Sequence, residues 1–321
     1  MKCTLLALEG CPLSSVAGPL EILSLANALV GKEHRLSLQI VGEGQNIDCF
    51  AGMQLRAHGS LSDVQQTDLL IIGAIGHPGD RSLNIKPATL NWIKSQYQQG
   101  ATLVSICSGA FVLAATGLLD GKQATTHWAT EDLFRSLYPN VNLQSEQMLT
   151  QDGNLYCSGG ASAYQDMSIY LVQKYYGEDV AQQVARRALI DMDRHNQNIY
   201  RQFMPTRQHQ DTSIHQVQDW LKQHAYKNVS IDMLAQQSHL SERQLKRRFK
   251  QATGLTPLGY IQELRIEHAK HLLQSTNQQV EKVANSVGYE DLRFFRQLFK
   301  RLSGLAPTEY RSKFSVNTHS A

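Results

Sequence analysis

Ser241-Glu242-Arg243-Gln244-Leu245-Lys246-Arg247-Arg248-Phe249-Lys250 and, about fifty residues on, Asp291-Leu292-Arg293-Phe294-Phe295-Arg296-Gln297-Leu298-Phe299-Lys300 follow one pattern. Each follows a short segment with an alanine near its middle, Met233-Leu234-Ala235-Gln236 or Lys282-Val283-Ala284-Asn285. Each ends in the same punctuation, Thr253-Gly254-Leu255-Thr256-Pro257 and Ser303-Gly304-Leu305-Ala306-Pro307. A self-similar period fixes architecture more firmly than any single residue. Leu245 and Phe249, like Phe295 and Phe299, stand at i, i+4 and share one helix face. That face should pack on Leu234 and Ala235, or on Val283 and Ala284, where a small residue permits a close crossing. Ser241 is the expected N-cap, and Gly254 and Gly304 the C-caps before a restart at Pro257 and Pro307. The reading is two helix-turn-helix units in tandem.

The outward faces carry the chemistry. In the first unit they hold Arg243, Gln244, Lys246, Arg247 and Lys250, and in the second Glu290, Arg293, Arg296, Gln297 and Lys300. Arg and Gln can pair with base edges in the major groove, and Lys usually holds phosphate. Charge agrees: residues 1–211 carry 15 Lys+Arg against 19 Asp+Glu, and residues 212–321 carry 16 against 9. A net of −4 beside a net of +7 fits a nucleic-acid module joined to a near-neutral partner domain. A basic bundle that binds a protein is the plainer alternative; two copies in register favour double-stranded DNA. Pro257 to about Ser275 reads as one uninterrupted helix, with Ile261, Leu264, Ala269, Leu272 and Leu273 on one side. At about 1.5 Å per residue it spans roughly 28 Å, enough to seat two recognition helices in successive major-groove segments about 34 Å apart. Arg265 within it reads as a structural residue.

Residues from about 213 to 313 resemble the DNA-binding domain of the AraC/XylS family along their whole length. Val287-Gly288-Tyr289 and Gly304-Leu305-Ala306-Pro307-Thr308-Glu309-Tyr310-Arg311 are similar to its signature segment. Two positions depart from it. Arg248 stands where the family favours an apolar residue, so its stem should cover the core while its head reaches water. Gln297 stands where relatives often carry Arg or a small residue, so base preference there does not transfer.

The 321 residues suit two domains. No long apolar stretch argues for a membrane, and nothing in Met1-Lys2-Cys3-Thr4 argues for export. Five scattered cysteines, at 3, 11, 49, 107 and 157, read as reduced thiols in a cytoplasm and offer no metal site. No cofactor is expected. His209, His215 and His224 read as surface residues, and Gln96–Gln99 as a solvated helix end.

The N-terminal part alternates strand and helix patterns: strands at 4–8, 36–41, 68–73 and 101–106, helices at 16–29, 87–99, 161–176 and 178–191. This rhythm predicts an α/β domain, a flavodoxin-like parallel sheet with helices on both faces, followed by an all-α domain. Residues 1–192 form the first domain and 212–321 the second. The polar, aperiodic stretch 193–211 reads as a linker.

Ser105-Ile106-Cys107-Ser108-Gly109-Ala110-Phe111 has the form of a nucleophile elbow, with a cysteine at a sharp strand-to-helix turn. The helix N-terminus behind it should lower the thiol pKa. Thr125-Thr126-His127-Trp128 supplies a candidate histidine partner. This segment resembles the PfpI/glutamine-amidotransferase-like superfamily, and residues 113–128 resemble GlxA-type regulators, which fuse such a domain to an AraC-type module. The resemblance spans roughly residues 3–190. It implies that enzymatic members place an acidic side chain beside the cysteine, whereas alignment here puts Ser15 at that position and turns Glu21 elsewhere. Serine cannot hold a proton as a carboxyl does. Cys107 and His127 then read as remnants in a ligand pocket formed by Ser15, Gly73, Ala74, Ile75, Cys107, Ser108, His127 and Trp128, suited to an amino-acid-like or quaternary-amine effector. The expected protein is a ligand-responsive transcriptional regulator, an activator and homodimer that meets RNA polymerase at its promoters. The alternative is an amidase or glyoxalase-like Cys-His enzyme with a fused DNA-binding module.

Overall fold

The computed structural model describes residues 1–76, 85–194, 196–207 and 209–315. The chain divides into two compact units, Met1–Gln197 and Asn198–Ala321.

The first unit is built on a seven-stranded sheet: β1 Lys2–Leu6, β2 Ser37–Gly42, β3 Gly59–Ser60, β4 Leu69–Ile72, β5 Thr102–Ile106, β6 Leu149–Asp152 and β7 Leu155–Ser158. Their order across the sheet is β6-β7-β5-β4-β1-β2-β3. Every pairing is parallel except the antiparallel edge β6–β7. A parallel sheet buried on both faces needs near-continuous apolar strands, and all four residues of β4 are buried. Alternate residues feed two cores. Leu5, Ile71 and Val104 pack with Val16, Leu23, Met167 and Leu171 from the helices Ser14–Leu29 and Ala163–Tyr176. Leu6, Leu70, Ile72 and Leu103 pack with Ile93 and Phe111 from the helices Pro87–Gln98 and Gly109–Ala115. The α/β architecture with helices on both faces is therefore as the sequence predicts, the elements named there shifted at their ends by up to three residues, while the strands β3, β6 and β7 are additions to the four expected. The ribbon Asn46–Asp48/Gln54–Arg56 was not anticipated; strands of three residues are too short to display a period. Gln96 corrects the solvated-end reading. It is 1% exposed, accepts from the Thr67 N–H at 3.0 Å and donates to the Gln65 carbonyl at 3.2 Å.

The second unit is helical, with helices Thr212–His224, Ile231–Gln237, Glu242–Thr253, Pro257–Ser275, Val280–Ser286, Leu292–Ser303 and Pro307–Phe314. It has two cores. Leu234, Ala235, Leu245 and Phe249 gather around Tyr260 and Ile261. Val283, Ala284, Phe295 and Phe299 gather around Ile266, Ala269 and Leu273. The long helix thus gives its first half to one core and its second half to the other.

The polar stretch 193–211 is engaged in both units, apart from His195 and Gln208, which lie outside the described residues. Gln197 is buried in the first unit. In the second, the Phe203 N–H donates to Glu267 at 3.1 Å. Lys270, 4% exposed, donates to the Arg201 carbonyl at 2.7 Å. His209 and His215 are half-buried rather than surface residues and stack at 4.0 Å between ring centroids; His224 stacks on Trp220 at 4.4 Å. Among the described residues, no helix is long and apolar enough to cross a membrane.

Candidate DNA interface and effector site

The two helix-turn-helix units repeat bond for bond. In the first turn, Ser238, His239 and Leu240 donate backbone N–H groups to Leu234, Gln236 and Ala235. In the second, Val287, Gly288 and Tyr289 donate to Val283, Asn285 and Ala284. The turn demands a left-handed residue. Gly288 supplies it at φ +88° with no steric cost, whereas His239 is forced to φ +53°. His239→Gly is therefore expected to stabilise the second unit by about 1 kcal/mol, raising its unfolding midpoint by several degrees. A lowered midpoint in a calorimetric scan would show that the imidazole makes up for the strain.

Ser241 caps the first recognition helix, accepting from Gln244 N–H at 3.3 Å, while Gln244 Oε1 accepts from Ser241 N–H at 3.1 Å. Gln244, singled out as a base reader, spends its amide oxygen on this capping box. Lys246 pairs with Glu242 at 2.8 Å. Arg243, Arg247 and Lys250 are exposed, and these three carry the first unit's open cationic surface. Asp291 caps the second recognition helix through the N–H groups of Arg293 and Phe294. Glu290, Arg293, Arg296, Gln297 and Lys300 are all exposed, as expected of an outward face. Phe294, 45% exposed, joins that face and was missed. An aromatic standing one residue before the buried Phe295/Phe299 pair carries no polar signal, though it suits a thymine methyl. Gly254 (φ +77°) and Gly304 (φ +78°) close the two helices, their N–H groups donating to Lys250 and Lys300 at 2.9 Å.

Two arginines fasten this scaffold. Arg248 forms a fork with Asp211, at 2.8 and 2.6 Å. Asp211 also caps the helix Thr212–His224, and the guanidinium holds its carboxyl below the usual range. The expected snorkelling head is thus a specific ion pair. Arg265 donates to the carbonyls of Ala225 (2.7 Å), Lys227 (2.7 Å) and Gly288 (2.9 Å), and its guanidinium lies 5.1 Å from the centre of the Tyr289 ring. It is structural, as its sequence position suggests.

In the first unit Cys107 follows β5 at φ +54°, the strained conformation of an elbow. The helix behind it, Gly109–Ala115, has seven residues. The thiol does not behave as the segment suggests. Burial pushes it up, opposed by the backbone N–H groups of Ala161 and Ser108. Desolvation outweighs the short helix's field. Ser15 and Ser108 are buried, and their hydroxyls are committed to the loop after β4. Ser15 accepts from Ala74 N–H at 3.0 Å and donates to the Pro12 carbonyl at 2.7 Å. Ser108 accepts from Ile75 N–H at 3.0 Å and donates to the Gly76 carbonyl at 3.1 Å. Gly73 packs directly below; a Cβ on Gly109 would come within 2.7 Å of its carbonyl. Glu21 is exposed.

His127 is half-buried, and its Nδ1 accepts from Ala129 N–H at 3.0 Å. In the neutral ring the proton then sits on Nε2, so that nitrogen donates and cannot take a proton from a thiol. Trp128 is half-buried beside it, ring centroids 5.2 Å apart. Gly160 admits the imidazole, since a Cβ there would collide with the ring. Gln197 completes the arrangement. Its amide nitrogen donates to the Thr126 carbonyl (2.8 Å), the Gln147 carbonyl and the Thr125 hydroxyl (both 3.1 Å), and its oxygen accepts from Gly160 N–H (3.1 Å). Nothing in an aperiodic polar stretch marks that residue.

The profile of the DJ-1/PfpI family matches residues 14–174, and that of a helix-turn-helix domain residues 234–313. The HTH-type transcriptional regulator CdhR of Pseudomonas aeruginosa is 27% identical over 96% of this chain and 89% of its own. The isonitrile hydratase of Pseudomonas putida is 37% identical over 41% of this chain and 56% of its own. DJ-1beta of Drosophila melanogaster shares the fold of the first unit, with a TM-score of 0.52 at 20% identity, covering 59% of this chain and 98% of that one.

Proposed function

Since the chain belongs to the DJ-1/PfpI family and carries an AraC-type helix-turn-helix domain behind it, we propose that it is a ligand-responsive, sequence-specific transcriptional regulator. The observation that carries this reading is the duplicated turn, each copy presenting an exposed cationic helix from its own core. Residues 1–192 sense a small effector, 193–211 connect, and 212–321 bind double-stranded DNA. The sensing domain dimerises in the cytoplasm, so that two modules grip adjacent sites and meet RNA polymerase there.

The protein is not an enzyme. CdhR, which matches nearly the whole chain, is named a regulator, and the isonitrile hydratase matches less than half of it. The site supports this. Among the described residues, a thiol raised by burial, a histidine whose Nδ1 already accepts from Ala129 N–H, and Ser15 in place of a carboxyl argue against a general base poised on Cys107. We put the effector at Ser15, Gly73, Ala74, Ile75, Cys107, Ser108, His127 and Trp128; the loop after β4 held by Ser15 and Ser108 and the turn after β5 at Cys107 support this, since ligands in such sheets bind beyond the carboxyl ends of the strands. Trp128 offers a face to an amine.

Cys107→Ser should preserve effector-dependent transcription, and Cys107→Trp, which fills the space, should abolish the response while operator binding survives. A reporter assay paired with gel-shift titration checks both. Loss of response in the serine variant together with substrate turnover by the wild type would establish the enzyme reading instead.

A further inference from the structure

The loop between β1 and the helix Ser14–Leu29 brings Cys11 against Cys49, which follows the strand Asn46–Asp48. Their sulfurs are 3.7 Å apart. Cys11 is fully buried and Cys49 is 7% exposed. Main-chain bonds pin the two arms together. Gly10 N–H donates to the Asp48 carbonyl at 2.7 Å, and Phe50 N–H to the Cys11 carbonyl at 2.9 Å. The Glu9 carboxylate accepts from Asp48 N–H at 3.0 Å. The turn beside the sulfurs is strained and open: Ala51 holds φ +64°, and Phe50 and Met53 are 65% and 52% exposed. A disulfide needs sulfurs at about 2.05 Å, so the pair must close by less than 2 Å, within reach of side-chain rotation and a small loop shift.

We propose that Cys11 and Cys49 form a reversible disulfide by exchange with a low-molecular-weight disulfide of the glutathione type. Cys49, the more accessible, loses its proton to water and attacks one sulfur of the reagent. The reagent's S–S bond breaks, and one thiolate leaves and is protonated. Cys11, deprotonated in turn, attacks the Cys49 sulfur of the mixed disulfide and expels the second thiolate. Two protein thiols are oxidised by two electrons, and one reagent disulfide becomes two thiols. Burial pushes the Cys11 thiol up to about 12, so the second step waits on opening of the turn. Transient disulfides of this kind are the form that redox sensing takes in a reducing compartment.

The loop that would be pulled also holds the pocket wall. The Pro12 carbonyl accepts from Ser15, which in turn accepts from Ala74 N–H, and a Cβ on Gly76 would lie 2.9 Å from the Gly10 carbonyl. Coupling to the effector rests on the reading above; the bond itself does not, and its test reads thiols alone. Native full-length protein is incubated with oxidised glutathione, alkylated, unfolded and peptide-mapped. Two of the five cysteines should be protected, in one peptide pair joining Cys11 to Cys49, and dithiothreitol should restore both. Cys11→Ser should stop at glutathionylated Cys49, and Cys49→Ser should leave Cys11 unmodified. Five alkylated cysteines, a bond mapped to Cys107, or protection only after unfolding would overturn the proposal. Should either variant misfold, the wild-type map decides alone.

Discussion

Replacing Arg247 and Arg296 together by alanine is expected to weaken operator binding by about 2–6 kcal/mol, roughly 30-fold to more than 10,000-fold. Each arginine is exposed on the outward face of a recognition helix, and a bidentate contact to guanine is worth about 1–3 kcal/mol. The two helices belong to separate cores, so the losses should add. Each single variant should also relax specificity at one base position. Lys250→Ala should differ in kind: it weakens binding to all sequences and lowers the salt slope by about 0.9. Titrations of the full chain against operator and scrambled duplexes at several salt concentrations separate these outcomes. Unchanged binding by the double variant would remove both helices from the interface.

Arg265→Ala is expected to cost the second unit about 3–4 kcal/mol, because three carbonyls lose a charged donor at once and water replaces it imperfectly. The carbonyls come from both sides of the long helix: Ala225 and Lys227 follow the helix before the first unit, and Gly288 is the turn of the second. Lysine should recover little, since one ammonium lacks the planar fork that spans them. Operator affinity should fall with stability, because both recognition helices take their position from this fastening. Urea unfolding followed by helical circular dichroism checks the first claim; a loss under about 0.5 kcal/mol would reduce Arg265 to a surface residue.

What the sequence makes legible here is what local chemistry decides. The caps at Ser241, Gly254 and Gly304, the paired aromatics and the elbow at Cys107 each depend on a few neighbouring residues, and all stand where the spacing puts them. What stays illegible depends on distant partners. Gln244 reads as a base reader until Ser241 is seen to occupy its oxygen. The Cys107 thiol is expected to be acidic because the helix is visible in the string and the burial is not. Gln197 binds Thr125, Thr126, Gln147 and Gly160 across the chain, and no periodicity announces such a residue. Ser15 is legible as a replacement for an acid, yet not as the clasp of the Ala74 loop.

The long helix Pro257–Ser275 fixes phase as well as distance. Its early turns are set into one core and its later turns into the other, and a helix advances about 100° and 1.5 Å per residue. One residue added or removed between Ile261 and Ile266 would rotate the second reading head by more than a quarter-turn. No compensating slide along the duplex can undo a rotation about a different axis. With both recognition helices on one operator, as proposed, the length of this helix and the spacing of the operator's two half-elements should change only together, and only in steps that restore the angle.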